Sequence, residues 1–386
     1  MCDGKDHDHN RRKVMKFTGA VGMGAMLAGP MNVFASQASG NIQSRGYAAF
    51  DESGKLKPWK FERRPVGDND VLIDIKFASI CHSDIHQEKG HWGQQKYPQV
   101  PGHEIVGVVA AVGKNVTKFK VGDRAGVGCM VGNHYHQHAT DEEQYNPDTI
   151  FTYGYPDDRS PTGISQGGYS NNIVVEENFV MHVPKNISFE EAAPLMCAGI
   201  TTYSPLMRAD IKPGMKVAIA GIGGLGHMAI KFAVSKGAEV YAFTTSPSKV
   251  KDILAFGAKE AVVVDDLSKL GAYNGQMDYL LSTIPYDFNV AAYAAVVKPY
   301  GTFTQVGMPI KSEVTVNALY LAFSRVNFNA SLIGGIKETQ EMVDYCAANN
   351  ILPKIQKIKA TEINDAWESV VNKEARYRYV IDASTF

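Results

Sequence analysis

Five cysteines occur in the 386 residues: Cys2, Cys81, Cys129, Cys197 and Cys346. No two form a CxxC pair, so dithiol redox motifs and zinc ribbons are excluded. Two of them, with one histidine, stand in segments that could share a metal. Cys81 lies in Ile80-Cys81-His82-Ser83-Asp84-Ile85-His86, His103 in Pro101-Gly102-His103-Glu104, and Cys197 in Met196-Cys197-Ala198-Gly199-Ile200-Thr201. Two thiolates and one imidazole fill three corners of a tetrahedron and leave the fourth for water or substrate, the open form of a catalytic Zn2+ site. Glu104 could enter the fourth position when substrate is absent. Taken singly, each residue has a plainer reading, since a buried cysteine is commonly a small hydrophobe. Their joint presence beside a nucleotide motif is what gives them weight.

That motif is Val217-Ala218-Ile219-Ala220-Gly221-Ile222-Gly223-Gly224-Leu225-Gly226-His227. A strand ends, three glycines pass at GxGxxG spacing, and a helix begins. Gly221 permits the tight turn, Gly223 lets backbone approach a pyrophosphate, and Gly226 lets helix and strand pack closely. Gly224 and Leu225 complete the turn. The helix N-terminus offers free N–H groups and the positive end of its dipole to phosphate. An acidic residue about 20 positions on would bind the ribose 2′-hydroxyl of NAD. Here the next strand ends in Thr244-Thr245-Ser246-Pro247-Ser248-Lys249, without a carboxylate. Thr245, Ser246 and Lys249 supply donors and a countercharge suited to a 2′-phosphate, so NADP(H) is expected. The plainer alternative is a solvated turn carrying a surface lysine.

These residues need a scaffold of more than one core, because typical domains run about 100–200 residues. Hydrophobic residues make up 45% and charged residues 20% of the chain, an ordinary globular composition that excludes a disordered or disulfide-stapled chain. The formal net charge of −1 leaves no basic excess for nucleic acid. From Gly46 to about Val183 short strands such as 71–75 and 105–109 alternate with Gly, Pro and Asp, which predicts an all-β part, a distorted barrel. From Ser188 onward apolar runs at 217–220, 240–243, 261–264, 279–281 and 302–306 alternate with helix-length segments, which predicts a parallel sheet in βαβ units. A helix over 337–349 and a strand over 377–382 end the chain.

The N-terminal stretch reads as an address. Arg11-Arg12 precedes a Gly- and Ala-rich uncharged stretch from Phe17 to Ala35, too interrupted for a membrane span. It resembles a twin-arginine export signal, cleaved near Ala35 or Ala38. The expectation is a periplasmic protein delivered by the twin-arginine export machinery, with no membrane span in the mature chain.

In its motifs the chain resembles the zinc-dependent medium-chain alcohol dehydrogenases, above all their cinnamyl-alcohol-dehydrogenase branch. The match is carried by CHSDIHQ at 81–87, PGHEIVGVV at 101–109, GGYSNNIVV at 167–175, APLMCAGITTYSPL at 193–206, GIGGLGHMAIKFA at 221–233 and SLIGGIKETQEM at 331–342. The resemblance implies an α/β fold: a GroES-like β-barrel catalytic domain (42–197) and a Rossmann doubly wound parallel-sheet NADP domain (198–332). Residues 333–386 would return to the catalytic domain after a signal at 1–38. It implies one catalytic Zn2+ on Cys81, His103 and Cys197, polarising a carbonyl or acidifying a bound alcohol. Ser83 and His86 match the family's proton relay, with His86 titrating near neutrality. Asp84 would hold the free nitrogen of His103. His82 and Thr201 match positions near the cofactor phosphates or ribose. A homodimer is expected, as is a primary alcohol or aldehyde, aromatic or medium-chain, as substrate. Trp59 and Trp92 are either pocket walls or plain packing.

One departure stands out. Family members carry a second, structural zinc on four clustered cysteines. Here the corresponding loop, downstream of Cys129, holds none and looks about two residues shorter. His134, His136 and His138 alternate there and could hold a metal weakly. A four-thiolate loop is a disulfide hazard in an oxidising compartment, which fits an exported protein. The competing readings are a zinc-free quinone or enone reductase on this fold and a non-catalytic nucleotide-binding protein. The complete set Cys81, His103 and Cys197 speaks against the first, the relay residues against the second.

Overall fold

The computed structural model describes residues 40–134, 142–311 and 313–386. The proposed export signal, His136 and His138 lie outside the described residues.

The first sheet is built around Asp70–Ser79, whose Val71, Ile73 and Ile75 alternate inward with exposed Asp74 and Lys76. This strand pairs antiparallel with Ile105–Val112 and with Asn172–Glu176, and Ile105–Val112 pairs antiparallel in turn with Arg124–Val127. Branched residues fill the interior, among them Ile105, Val109, Ile150 and Ile173, because two substituents on Cβ pack well on a pleated surface. Arg378–Asp382 pairs antiparallel with the Phe77–Ser79 end of Asp70–Ser79, on the edge opposite Ile105–Val112, and Ile355–Ile358 lies parallel beside it. The chain's last strand therefore belongs to its first sheet.

The second sheet holds six parallel strands in the order Glu260–Val263, Glu239–Thr244, Lys216–Ala220, Met277–Ser282, Val297–Gln305 and Asn327–Ala330. The five apolar runs read from sequence are its first five strands. The sixth carries Asn327 and Asn329 and is largely exposed, so hydropathy gave no sign of it. After Lys216–Ala220 the chain builds outward on one side, then returns to the other. A crevice opens at the carboxyl end of that strand, the switch point where dinucleotides bind in open α/β sheets. The expected α/β architecture, a β part plus a doubly wound parallel sheet, is present. A shared core of Val106, Met196, Ile200, Leu206, Val217, Ile219 and Met342 ties the strand-rich part, the parallel sheet and the tail together. Among the described residues no helix is long and apolar enough to cross a membrane.

Candidate active site

Strand Asp70–Ser79 delivers Cys81 to the N-cap of the helix His82–Glu88, where it is buried. Its backbone N–H donates to Asp84 Oδ2 at 3.0 Å. The other oxygen of Asp84, Oδ1, accepts from His103 Nδ1 at 2.8 Å, and Tyr169 Oη donates to Oδ2 at 2.9 Å. With Nδ1 so engaged, His103 turns Nε2 toward the cysteines as a lone-pair donor. Cys197 precedes the helix Ala198–Arg208. One ligand atom from each of Cys81, His103, Glu104 and Cys197 falls within 4.8 Å of the others, and all four residues are buried.

The electrostatics of this cluster are those of a cation site. Hydrogen bonding from Cys197, then His103, holds the Cys81 thiol well below its ordinary range, against the effect of burial. Cys197 moves the other way, raised by its contacts with Cys129 and Cys81 and by burial. Two thiols this close cannot both ionise unless positive charge lies between them. Burial opposes a charged His103, but Asp84, Cys129 and Cys81 together raise its pKa well above the usual value. Burial lifts Glu104 to about 7 against the pull of Arg378, with which it forms a buried ion pair. The remaining oxygen of Glu104 accepts from Ala198 N–H at 3.2 Å. Soft thiolates, an imidazole and a dry setting are the donor set Zn2+ selects. Two thiolates would balance such an ion's charge, and Arg378 balances Glu104.

Cys81, His103 and Cys197 line a cavity of about 760 Å3 that the segment Gly221–Leu225 also lines. Gly221 has φ +84°. A Cβ on Gly226 would stand 2.1 Å from the Gly221 carbonyl oxygen, so only glycine lets the helix Gly226–Ser235 begin so close to the strand. Gly223 and Gly224 line the cavity, Gly224 against the Arg378 side chain. Thr245 and Ser246 sit at the cavity edge. Lys249 is less free than its sequence position suggests. Its Nζ donates to the Ile222 carbonyl at 3.0 Å, and burial, then Arg376 and Lys373, push its pKa down to about 8. Arg376 reaches Ser248 Oγ at 2.7 Å. Three cations, not one, therefore gather at the end of this strand, and sequence distance hid two of them.

Ser83 Oγ is 3.6 Å from Cys81 Sγ, and Thr201 Oγ1 is 3.9 Å from Cys197 Sγ; both residues line the cavity. His82 and His86 stack face to face at 4.6 Å. His86 differs from the sequence expectation. It is buried, and desolvation, then His82 and His91, push it down to about 4 instead of near neutrality. Trp92 lines the cavity and donates to Pro309 O at 3.2 Å, bridging the strand-rich part to the parallel-sheet part. Trp59 stacks on Phe61 at 4.9 Å and is packing. Of the loop histidines, His134 is exposed on the surface. Arg378, Tyr169 and Cys129 belong to the site but were not found from sequence. Tyr169 lies within the GGYSNN motif, and only the fold brings it to Asp84.

Residues 67–185 match the alcohol dehydrogenase GroES-like domain family and residues 224–348 the zinc-binding dehydrogenase family. The chain is 44% identical over 349 residues to a Bacillus subtilis protein named "Probable formaldehyde dehydrogenase", covering 89% of this chain and 98% of that one. It is 44% identical over 344 residues to NADP-dependent alcohol dehydrogenase C 1 of Mycolicibacterium smegmatis, covering 88% and 97%. The crystal structure of a CAD from Helicobacter pylori complexed with NADP(H) superposes with a TM-score of 0.84 at 42% identity, covering 89% of this chain and 99% of that one. Given this likeness over nearly all of the strand-rich and parallel-sheet parts, the chain belongs to the zinc-type medium-chain alcohol dehydrogenases, oxidoreductases acting on CH–OH groups.

Proposed function

We propose that the protein is a one-zinc, NADP(H)-dependent alcohol dehydrogenase and aldehyde reductase for primary aromatic or medium-chain substrates. The observation that carries this reading is the buried Cys81, His103, Glu104 and Cys197 cluster, three of whose members line the same cavity as the segment Gly221–Leu225. When bound, Zn2+ would supply Lewis acidity at the substrate oxygen and NADP(H) the hydride. The protein's own part is to hold and order. Cys81, His103 and Cys197 would hold the metal, with Asp84 fixing the His103 ring. Glu104, tied to Arg378, stands ready as an exchangeable fourth ligand. Gly221 to Gly226, with the helix that follows, would hold the pyrophosphate. His82 and Thr201 would contact the cofactor ribose or phosphates. Thr245, Ser246, Lys249 and the added cations Lys373 and Arg376 favour a 2′-phosphate. A relative named for NADP and a similar structure holding NADP(H) support the same choice. Ser83 would pass the alcohol proton toward His86. Phe151, Trp92 and Tyr286 give the cavity an aromatic wall suited to aromatic substrates.

The chain is further proposed to be exported through its Arg11-Arg12 segment and to act as a homodimer. Domain limits near 42–197, 198–332 and 333–386 are part of the same reading.

The test is zinc per subunit on purified protein beside NADPH oxidation with an aromatic aldehyde. A ratio near one is expected, with metal and turnover lost together in Cys81→Ser and His103→Ala, by about a hundredfold or more in rate. A ratio near two would make the loop histidines a second site. A ratio near zero with full turnover would favour the zinc-free reductase.

A further inference from the structure

His86 lines the cavity but has almost no exposed surface of its own. It is buried, and its Nε2 has no hydrogen-bond partner among the described residues. Its ring is held between His82 at 4.6 Å and Trp92 at 5.1 Å. Its one polar contact among the described residues is Nδ1 to Nδ1 of His91, at 2.8 Å. Two imidazole nitrogens at that distance share a single proton, one ring donating and the other accepting.

The backbone makes this contact. The helix His82–Glu88 ends in a left-handed turn at Gly90, φ +63°. Gly90 N–H donates to Gln87 O at 2.9 Å and His91 N–H to His86 O at 3.0 Å. This double closure is a Schellman motif, in which the second residue beyond the cap folds back over the third residue from the helix end. Those two positions commonly carry an apolar pair. Here they carry His91 and His86. His91 is only half-buried, so the pair runs from the cavity wall to the surface.

We propose that His91 is the solvent-side member of the proton relay, passing to bulk water the proton that alcohol oxidation delivers to His86 and returning it in aldehyde reduction. The proposal rests on the functional reading above and adds a residue to it. A proton taken up at His86 Nε2 is matched by transfer of the shared Nδ1 proton to His91, whose ring releases one proton to water. One proton enters, one leaves, and no electrons move. His82, Lys89 and Cys81 are the titratable neighbours of the pair. Burial and the cationic neighbours make His86 a poor place for charge to rest, which suits a conduit.

His91→Ala and His91→Gln, each in the full chain, are the variants to compare with the parent. Both should lower kcat for an aromatic primary alcohol with NADP+ by about tenfold or more, at the low end of general acid–base effects. KM should not change, and added imidazole should restore the Ala variant in a concentration-dependent way. A merely structural role would not respond to imidazole. The second readout needs no turnover: in 15N-histidine NMR the His86 and His91 rings should titrate as a coupled pair, and the His86 signal should move in both variants. Unchanged kcat and pH profile, or a loss that imidazole does not restore in a folded variant, would overturn the relay. If the parent oxidises no alcohol, the functional reading falls by itself. Rings that then titrate independently would sink the relay as well.

Discussion

Asp84 shows how one buried carboxylate can serve three groups. One oxygen takes the His103 Nδ1 proton, and the other takes the Cys81 N–H and the Tyr169 hydroxyl. Glu88, one helical turn further on, has no such company. It is fully buried, and neither of its carboxyl oxygens has a hydrogen-bond partner among the described residues. Burial, then Asp84, raises its pKa well above the usual carboxylate value. The folded state therefore keeps a proton that the unfolded chain releases. Stability falls as pH rises through and beyond the ordinary carboxylate range, and this penalty vanishes below it. Glu88→Met should stabilise the protein at pH 7 by about 1–3 kcal/mol, part of it the cost of an unsatisfied buried polar group and the rest the proton linkage that operates above the ordinary carboxylate range. The gain should shrink near pH 4. Denaturant midpoints of both proteins at the two pH values check this, and an equal gain at both would assign the effect to packing instead of charge.

At the scale of elements, the site is made of termini. Cys81 caps one helix, Cys197 precedes another, and Gly221 to Gly226 join a strand to a third. Helix ends leave backbone N–H groups free, so chemistry collects there without distorting regular structure. The glycine spacing was legible because its reason is local: Gly226 touches Gly221, five residues away. Gly226→Ala would force the turn open. We expect the NADPH dissociation constant to rise at least about tenfold, or 1.4 kcal/mol, with zinc content unchanged. Fluorescence titration of the cofactor and metal analysis read the two separately, and unchanged affinity would remove this turn from the cofactor site. The sixth strand, Asn327–Ala330, was not legible. Among the described residues it pairs with one neighbour only, and none of its four residues is buried, so no apolar run marks it.

At the scale of the whole molecule, that strand leaves an open edge beside an exposed apolar helix. No residue of Ala318–Ser324 is buried, and Leu319 and Phe323 are 68% and 85% exposed. An apolar helix bare to water near an open strand edge is what a symmetric partner would cover. The parent should run at twice its subunit mass, and Phe323→Glu should run as a monomer with its secondary structure kept. Light scattering behind a sizing column distinguishes the two, and a parent that is monomeric at every concentration would end the dimer proposal. The loss of loop cysteines belongs to this scale too. It agrees with a chain that meets oxidising surroundings, which fractionation of the parent against Arg11→Lys/Arg12→Lys would test.

The sequence alone determined what depends on residue type and short spacing. Cys81, His103 and Cys197 as soft donors, the GxGxxG turn, the absent carboxylate after the second Rossmann strand and the alternation of apolar runs are all local facts. Local chemistry constrains them without reference to the rest of the chain. Tertiary structure decided what depends on distant segments meeting. It brought Arg378 to Glu104, Tyr169 to Asp84 and Arg376 to Ser248, across 274, 85 and 128 residues. It buried His86 and so set its protonation far from the value of a free imidazole. A side chain's identity is written in the sequence, but its solvation and charged neighbours exist only once the chain has folded, and these fix how it titrates.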